Sequence, residues 1–203
     1  MITLYDYLPS GNGYKVRLLL TFLGLPYRLV QKDIIKGETR TPEFLALNPN
    51  GRIPLVVLED GRKLFESGAI VFYFAEGTRF LPTDRYERAE VLQWMFFEQY
   101  SHEPFVAVAR FLLIHPEAVP PERQAELPAK QKGGYAALEV MERHLSAGRR
   151  WFVSDRLTIA DIALYAYTHV ADEGGFDLAR FPAIRDWLGR VRAEPRYIPI
   201  TKA

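Results

Sequence analysis

Residues 48–54 read NPNGRIP and residues 64–70 read LFESGAI, and these two stretches are the most informative in the chain. Pro54 opens an apolar run that predicts a strand, where proline is tolerated at the first position because its N–H is not needed. The first stretch is either a plain turn before an edge strand or a loop with a cis Ile53–Pro54 peptide bond, which lets the Ile53 backbone pair with an extended, peptide-like ligand. Ser67 stands at the start of a predicted helix, whose free N–H groups attract carboxylates. A plain helix cap would also explain this serine.

Short strands and helices alternate over the first part of the chain. Apolar, β-branched and aromatic runs predict strands at residues 2–7, 27–34, 54–58 and 63–65. The helical spacing of apolar residues predicts helices at residues 15–23, 41–47 and 67–76. Asp60 and Gly61 form a hairpin turn signal between the last two strands. The order βαβαββα predicts an α/β domain over residues 1–78.

The second part of the chain reads almost entirely as helix. Predicted helices cover residues 86–115, 120–145, 158–172 and 182–192. Pro104 lies inside the first of these helices and should kink it. Thr158 and Asp161 have the spacing of a capping box, which we assign to structure rather than to chemistry. Turn residues without a period make residues 79–85 a linker, so the fold class is α/β plus all-α, with an all-helical domain over residues 86–203.

The composition excludes several classes of function. The net charge of +1 over 203 residues gives no reason to expect a nucleic acid or an anionic membrane as a partner. The chain has no cysteine, which excludes disulfides, thiolate metal sites and a cysteine nucleophile. Its four histidines lack the spacing of metal ligands, so no metal is expected. The N-terminus lacks the features of a signal peptide and no apolar run approaches a membrane span, so the expected location is cytoplasmic.

The glycines of the sequence SGNG, residues 10–13, raise the possibility of a phosphate-binding loop. Gly11 and Gly13 follow a predicted strand and precede a helix, and Asp33 stands near the end of the next strand, where a ribose-binding acid would lie. Val16 occupies the place of the third glycine of that motif, however, and the chain continues into a hairpin instead of another parallel unit. We therefore expect no nucleotide here.

The two stretches quoted first, together with the order of elements around them, resemble the cytosolic glutathione S-transferases over essentially the whole chain. The pair NPNGRIP and ESGAI at this separation is specific, whereas either fragment alone would be weak. The resemblance implies a thioredoxin-like, glutathione-binding N-terminal domain and an all-helical C-terminal domain. It also implies a homodimer with a site in each subunit's interdomain cleft, and glutathione as a co-substrate.

Glutathione carries two carboxylates and one ammonium, and the resemblance assigns a partner to each part. Ile53 would bind the cysteinyl backbone through its main chain, Ser67 the γ-glutamyl carboxylate, and Glu66 the ammonium. Arg52 is a candidate for the glycyl carboxylate. Lys36 and Arg40 are weaker candidates for that carboxylate. Asn50 and Pro54 are the remaining members of the predicted site.

Two residues are candidates for stabilising the glutathione thiolate. Ser10 falls where theta- and phi-type members of the family carry their activating serine. PSGNGYK also resembles the Thr-Pro-Asn-Gly loop of bacterial nu-class members, with Ser10 in place of the threonine and Asn12 matching the asparagine. Members of that class act on disulfides with two glutathione molecules and no protein cysteine. The alternative is that both residues only make turn and cap hydrogen bonds.

A second substrate would meet residues of the long predicted helix, for which Tyr100, Phe105 and Arg110 are the candidates. The sequence thus predicts a glutathione-dependent enzyme for disulfide reduction or for conjugation to small electrophiles. The alternative is a non-catalytic binding or interaction module on the same fold, since a fold does not guarantee an activity. The physiological second substrate and the choice between the two reactions stay open at this point.

Overall fold

The computed structural model describes all 203 residues, Met1–Ala203. Its internal contacts divide the chain into two compact units. The first consists of Met1–Glu76 together with Pro195–Ala203, and the second of Gly77–Glu194. None of the helices has the length and apolar character that crossing a membrane requires.

A four-stranded mixed sheet forms the first unit. Its strands are β1 Ile2–Asp6, β2 Tyr27–Gln31, β3 Leu55–Val57 and β4 Lys63–Phe65. They lie in the order β2-β1-β3-β4. β1 pairs in parallel with β2 and antiparallel with β3, and β3 pairs antiparallel with β4. All four predicted strands are present, and β2 is three residues shorter than predicted at its end.

The helices of the first unit are α1 Gly11–Leu23, α2 Pro42–Leu45 and α3 Ser67–Ala75. The sequence prediction starts α1 only at Lys15 and was wrong there. Ser10 is the N-cap, and its Oγ accepts a hydrogen bond from the Gly13 N–H at 3.4 Å, so SGNG belongs to the helix start. Gly24 ends the helix in the left-handed conformation, with φ 69°.

Arg17 explains why the C-terminal residues belong to the first unit. Its side chain is fully buried, and its Nε donates to Asp6 Oδ2 at 2.9 Å. Its Nη1 donates to the Ile200 and Lys202 carbonyls, and its Nη2 to the Leu8 carbonyl. Burial raises the pKa of Asp6 to about 6, while the Arg17 charge acts in the opposite direction. The domain boundary drawn from the sequence, which assigns everything up to residue 203 to the helical domain, did not anticipate this return of the chain.

The second unit is helical. Its helices are α4 Arg85–Phe97, α5 Glu103–Ile114, α6 Pro121–Gln124, α7 Leu127–Ser146, α8 Ile159–Thr168 and α9 Pro182–Arg192. The long helix predicted over residues 86–115 is in fact α4 and α5, joined by a π-helical turn at Glu98–His102. The break comes just before Pro104, which has no N–H to donate to the carbonyl one turn earlier.

Helix α8 is the buried centre of this unit, since each of its ten residues is buried. Thr158 and Asp161 form the predicted capping box. The Asp161 carboxylate accepts hydrogen bonds from the N–H groups of Thr158 (2.9 Å) and Phe152 (3.1 Å) and from Trp187 Nε1 (3.0 Å). Burial nevertheless raises the pKa of Asp161 to about 6, against the opposing effect of these hydrogen bonds.

Candidate functional site

The loop of residues 48–54 is closed by its own first residue. The Ile53–Pro54 peptide bond is cis. Asn48 is buried, and its Nδ2 donates to the Arg52 carbonyl at 2.8 Å while its Oδ1 accepts from the Asn50 N–H at 3.1 Å. Asn48 therefore fixes the backbone that leads into Ile53. The sequence prediction quoted this residue but gave it no role.

The basic candidates for the glycyl carboxylate have different surroundings. Arg40 Nη1 donates to the Asn50 carbonyl at 3.1 Å and lies against Gly51, where an added Cβ would come within 2.6 Å of it. Lys36 is exposed and pairs with Asp33, with 3.4 Å between Nζ and Oδ2. Arg52 is exposed at the rim of the loop. All three cations are exposed, and Arg40 additionally supports the loop through its hydrogen bond to the Asn50 carbonyl.

Asp33, considered above as a ribose-binding acid, is a turn residue. Its Oδ1 accepts hydrogen bonds from the Ile35 and Lys36 N–H groups at 2.9 and 3.2 Å. Desolvation is the largest single effect on the Asp33 carboxyl and raises its pKa, but these hydrogen bonds and the Lys36 ion pair together outweigh it and hold the pKa below its usual range. The carboxylate is therefore used within its own turn.

Glu66 and Ser67 start α3 in a way that the sequence did not predict. The N-cap is Glu66, not Ser67, and Glu66 has a positive φ of 66° with ψ 113°. Ser67 is the buried first residue of the helix, so both its hydroxyl and its N–H lie at the positive end of the helix dipole. Glu66 Oε1 accepts a hydrogen bond from Asn50 Nδ2 at 3.2 Å, which links this turn to the preceding loop.

Asn12 connects the start of α1 with the start of α3. Its Oδ1 accepts a hydrogen bond from Ser67 Oγ at 3.3 Å and another from Lys15 Nζ at 2.8 Å. Gly13 lets this turn of α1 lie directly on the end of β1, because a Cβ at Gly13 would come within 1.6 Å of the Asp6 carboxylate. Residues from both quoted motifs and from SGNG are thereby brought together.

The candidates for a second-substrate pocket lie in the second unit. Tyr100, on the π-helical turn, is 85% exposed. Phe105 packs against α7, where a Cβ at Gly133 would come within 2.2 Å of its ring. Arg110 is buried and its Nε donates to Glu173 Oε2 at 2.6 Å. Tyr100 is therefore the most exposed member of this set, Phe105 is half-buried, and the guanidinium of Arg110 is engaged in an ion pair.

Two protein-family models match the chain, one in each of its two parts. Residues 1–76 match the family model of the glutathione S-transferase N-terminal domain, and residues 102–195 match that of the C-terminal domain. The chain belongs to the glutathione S-transferase family. It is 34% identical to the disulfide-bond oxidoreductase YfcG of Escherichia coli strain K12, over 96% of this chain and 92% of that protein.

Solved structures of family members confirm the predicted fold class, a thioredoxin-like N-terminal domain followed by a helical one. A glutathione S-transferase from Pseudomonas fluorescens Pf-5 matches with a TM-score of 0.95 and 52% identity, over 99% of both chains. The glutathione transferase URE2P8 of Phanerochaete chrysosporium, solved with oxidized glutathione, matches with a TM-score of 0.83 and 29% identity, over 96% of this chain and 90% of that one. This relative therefore holds oxidized glutathione on the same fold.

Lys15 and Arg17 are the residues near the site that the sequence prediction missed. Both side chains are almost fully buried, and they are among the ten buried residues of the thirteen in α1. The run YKVRLLL reads as an amphipathic helix with its charges in water. The available signal is weak: the two cations stand among apolar residues in the helix that begins within the SGNG segment.

Proposed function

We propose that this chain is a glutathione-dependent enzyme that stabilises the glutathione thiolate and uses it to reduce disulfides. The observation that carries this proposal is the hydrogen bond of 3.3 Å between Ser67 Oγ and Asn12 Oδ1. It joins the serine expected to hold the γ-glutamyl carboxylate to the asparagine expected to meet the sulfur. One small ligand can therefore contact both.

Binding of glutathione would use the two linked turns. The Ile53 main chain pairs with the cysteinyl backbone, and Ser67 offers its hydroxyl and N–H to the γ-glutamyl carboxylate at the start of α3. Glu66 faces the ammonium, and Asn50 holds its carboxylate in place. Arg52 is an exposed cation at the rim of the loop and suits the glycyl carboxylate.

Thiolate stabilisation would come from the start of α1. A thiol with a pKa of about 8.5 is only a few per cent ionised at neutral pH, and lowering that pKa by about two units takes ~2.7 kcal/mol. Hydrogen bonds to an anion contribute about 1.5–3 kcal/mol each, and the helix dipole adds to them. Ser10 Oγ already accepts from Gly13, so its hydroxyl proton is what it offers to sulfur. Asn12 offers its amide NH₂.

The proposed reaction is thiol–disulfide exchange in two steps. The first glutathione thiolate attacks one sulfur of the substrate disulfide, forms a mixed disulfide and releases the other sulfur as a thiolate. A second glutathione thiolate then attacks the glutathione sulfur of the mixed disulfide, which gives oxidized glutathione and the second substrate thiolate. Similarity to a disulfide-bond oxidoreductase supports this reaction over conjugation. The protein itself contributes no cysteine.

Two assays on the purified protein test the proposal. One follows glutathione-driven reduction of a model disulfide, and the other follows displacement of chloride from a chloronitroaromatic by glutathione. We expect disulfide reduction to be the faster reaction, and expect Ser10→Ala and Asn12→Ala each to lower its rate by about tenfold, or ~1.4 kcal/mol of barrier.

Different outcomes overturn different parts of the proposal. A wild-type protein that neither binds glutathione nor catalyses either reaction would be a non-catalytic module on this fold. Fast conjugation without disulfide reduction would replace the proposed reaction by transfer to carbon. If both substitutions leave the rates within about twofold, equivalent to ~0.4 kcal/mol of barrier, then Ser10 and Asn12 are not the thiolate donors.

A further inference from the structure

Lys15 is a buried lysine one helical turn after Asn12. Its exposed fraction is 1%, and its Nζ donates a hydrogen bond to Asn12 Oδ1 at 2.8 Å. An ammonium group has donors and no acceptor, so it selects the oxygen end of the Asn12 carboxamide. The NH₂ end, which carries the only protons this side chain can donate, is therefore directed away from Lys15.

The second hydrogen bond to the same oxygen is one that a ligand would compete for. Ser67 Oγ donates to Asn12 Oδ1 at 3.3 Å, and the same hydroxyl is the group that the proposed function gives to the γ-glutamyl carboxylate. A carboxylate is a stronger acceptor than an amide oxygen. When the ligand takes the Ser67 proton, Lys15 can still donate to the oxygen of Asn12.

Orientation of the carboxamide decides whether Asn12 helps or hinders a thiolate. With Oδ1 toward Lys15, the NH₂ group lies at the opposite end of the carboxamide, where it can donate to an anion. With the carboxamide turned by half a rotation, the oxygen would face the sulfur and repel its negative charge, and the NH₂ would face an ammonium that cannot accept a hydrogen bond. Both ends of the turned amide would be mismatched.

We propose that Lys15 is the positioning residue of the site, which holds the Asn12 carboxamide with its NH₂ toward the glutathione sulfur. This inference rests on the proposed function, since it assumes that Asn12 is a thiolate donor. It also accounts for a buried cation in α1, a placement that is costly unless the charge is used in polar contacts.

A double-mutant cycle tests the inference, because it separates action through Asn12 from action by charge alone. The variants are Lys15→Met, Asn12→Ala and the two combined. The matched control is Lys132→Met, which removes an exposed lysine from α7. The first measurement is the pKa of the thiol of bound glutathione, from the ultraviolet absorbance of the thiolate against pH. The second is the Kd of glutathione, by calorimetry on the same proteins.

In the expected result, Lys15→Met raises the pKa of the bound thiol by about one pH unit, a tenfold loss of thiolate at neutral pH, and Lys132→Met does not. The Kd of glutathione stays within about threefold in both variants, because Lys15 is not assigned a contact with the peptide part of the ligand. In the Asn12→Ala background, Lys15→Met changes the thiol pKa by less than about 0.3 pH unit.

Other results overturn the inference in distinguishable ways. An equal change in both backgrounds would mean that Lys15 acts through its charge. A change in Asn12→Ala without one in Lys15→Met would refute the positioning role and leave the proposed function standing. No change in Asn12→Ala would refute the role of Asn12 itself. Should Lys15→Met not fold, Lys15→Gln serves instead: its amide can present oxygen or nitrogen to Asn12, so the thiol pKa should still rise.

Discussion

Glu66 has a backbone conformation that glutamate rarely adopts, with φ 66° and ψ 113°. Such a conformation costs about 1–3 kcal/mol and persists where the surrounding structure imposes it, often at binding sites. Here the imposed turn brings the carboxylate of Glu66 to Asn50 and the hydroxyl of Ser67 to Asn12. Glycine would fit the backbone better but would bring no charge to the site.

The charge of Glu66 is expected to serve binding and not the chemical step. We predict that Glu66→Gln, which keeps the shape and the contact with Asn50, raises the Kd of glutathione by about tenfold, or ~1.4 kcal/mol. The kcat at saturating glutathione should change by less than about twofold. Glu139→Gln, at an exposed position on α7, is the control. Equal losses in kcat and kcat/KM would assign Glu66 to the transition state instead.

The sequence predicted individual site residues only where they lie within a recognisable motif. NPNGRIP and ESGAI indicated Ile53, Glu66 and Ser67, and the structure brings these motifs next to Asn12. The exact place of Ser67 was missed because a serine before an apolar run reads as an N-cap, and a glutamate with positive φ is too rare to expect. The role of Lys15 was missed because a lysine in a helix is normally solvated.

Helix α8 shows what burial does to an acid that is fully hydrogen-bonded. Burial raises the pKa of Asp161 from 3.8 to about 6 despite hydrogen bonds from Thr158, Phe152 and Trp187. Between pH 3.8 and about pH 6, Asp161 is therefore mostly protonated in the folded chain and mostly ionised in the unfolded chain. The contribution of Asp161 to stability is therefore complete below about pH 4 and is lost as the pH rises through about 6.

This fall of stability with rising pH is testable with Asp161→Asn, because asparagine does not titrate. We predict that the free energy of unfolding of the wild type, measured in urea relative to that of the variant, falls between about pH 4 and pH 6 by up to ~3 kcal/mol and is level above that range. Asp155→Asn, at an exposed position, should follow the wild type throughout. A difference that is constant or rises with pH would show that Asp161 stays ionised in the folded chain.

Elements were predicted well where caps and prolines mark their ends. α9 and β4 have the predicted bounds, and Gly24 ends α1 as expected. The start of α1 was misplaced because two glycines and an asparagine read as a loop until the contact of Gly13 with Asp6 is known. The π-helical turn before Pro104 depends on packing that periodicity does not report.

The C-terminal segment, residues 195–203, belongs to the first unit and contacts residues near the start of the chain. Arg17 donates to the carbonyls of Ile200 and Lys202, and the Tyr14 hydroxyl donates to that of Ile198 at 2.6 Å. The same guanidinium holds Asp6, beneath the helix start that carries Ser10 and Asn12. Nothing in the composition of residues 195–203 indicates this return, since the contacts use backbone carbonyls that every sequence has.

Removal of this segment should destabilise the first unit. We predict that deletion of residues 196–203 lowers the free energy of unfolding by about 2–4 kcal/mol, because it leaves buried donors of Arg17 and Tyr14 without acceptors. Deletion of Ala203 alone is the control, and chemical denaturation followed by the fluorescence of the protein is the measurement. A loss below about 0.5 kcal/mol would mean that water or a neighbouring carbonyl replaces these acceptors.

The proposed function depends on one chemical property, the ionisation of the glutathione thiol at the start of α1. The direct measurement is the pKa of the thiol of glutathione bound to the wild-type protein, from the thiolate absorbance as a function of pH. We predict a value about two pH units below the ordinary thiol pKa of about 8.5. Saturable binding with a thiol pKa within about 0.3 pH unit of that of free glutathione would contradict it.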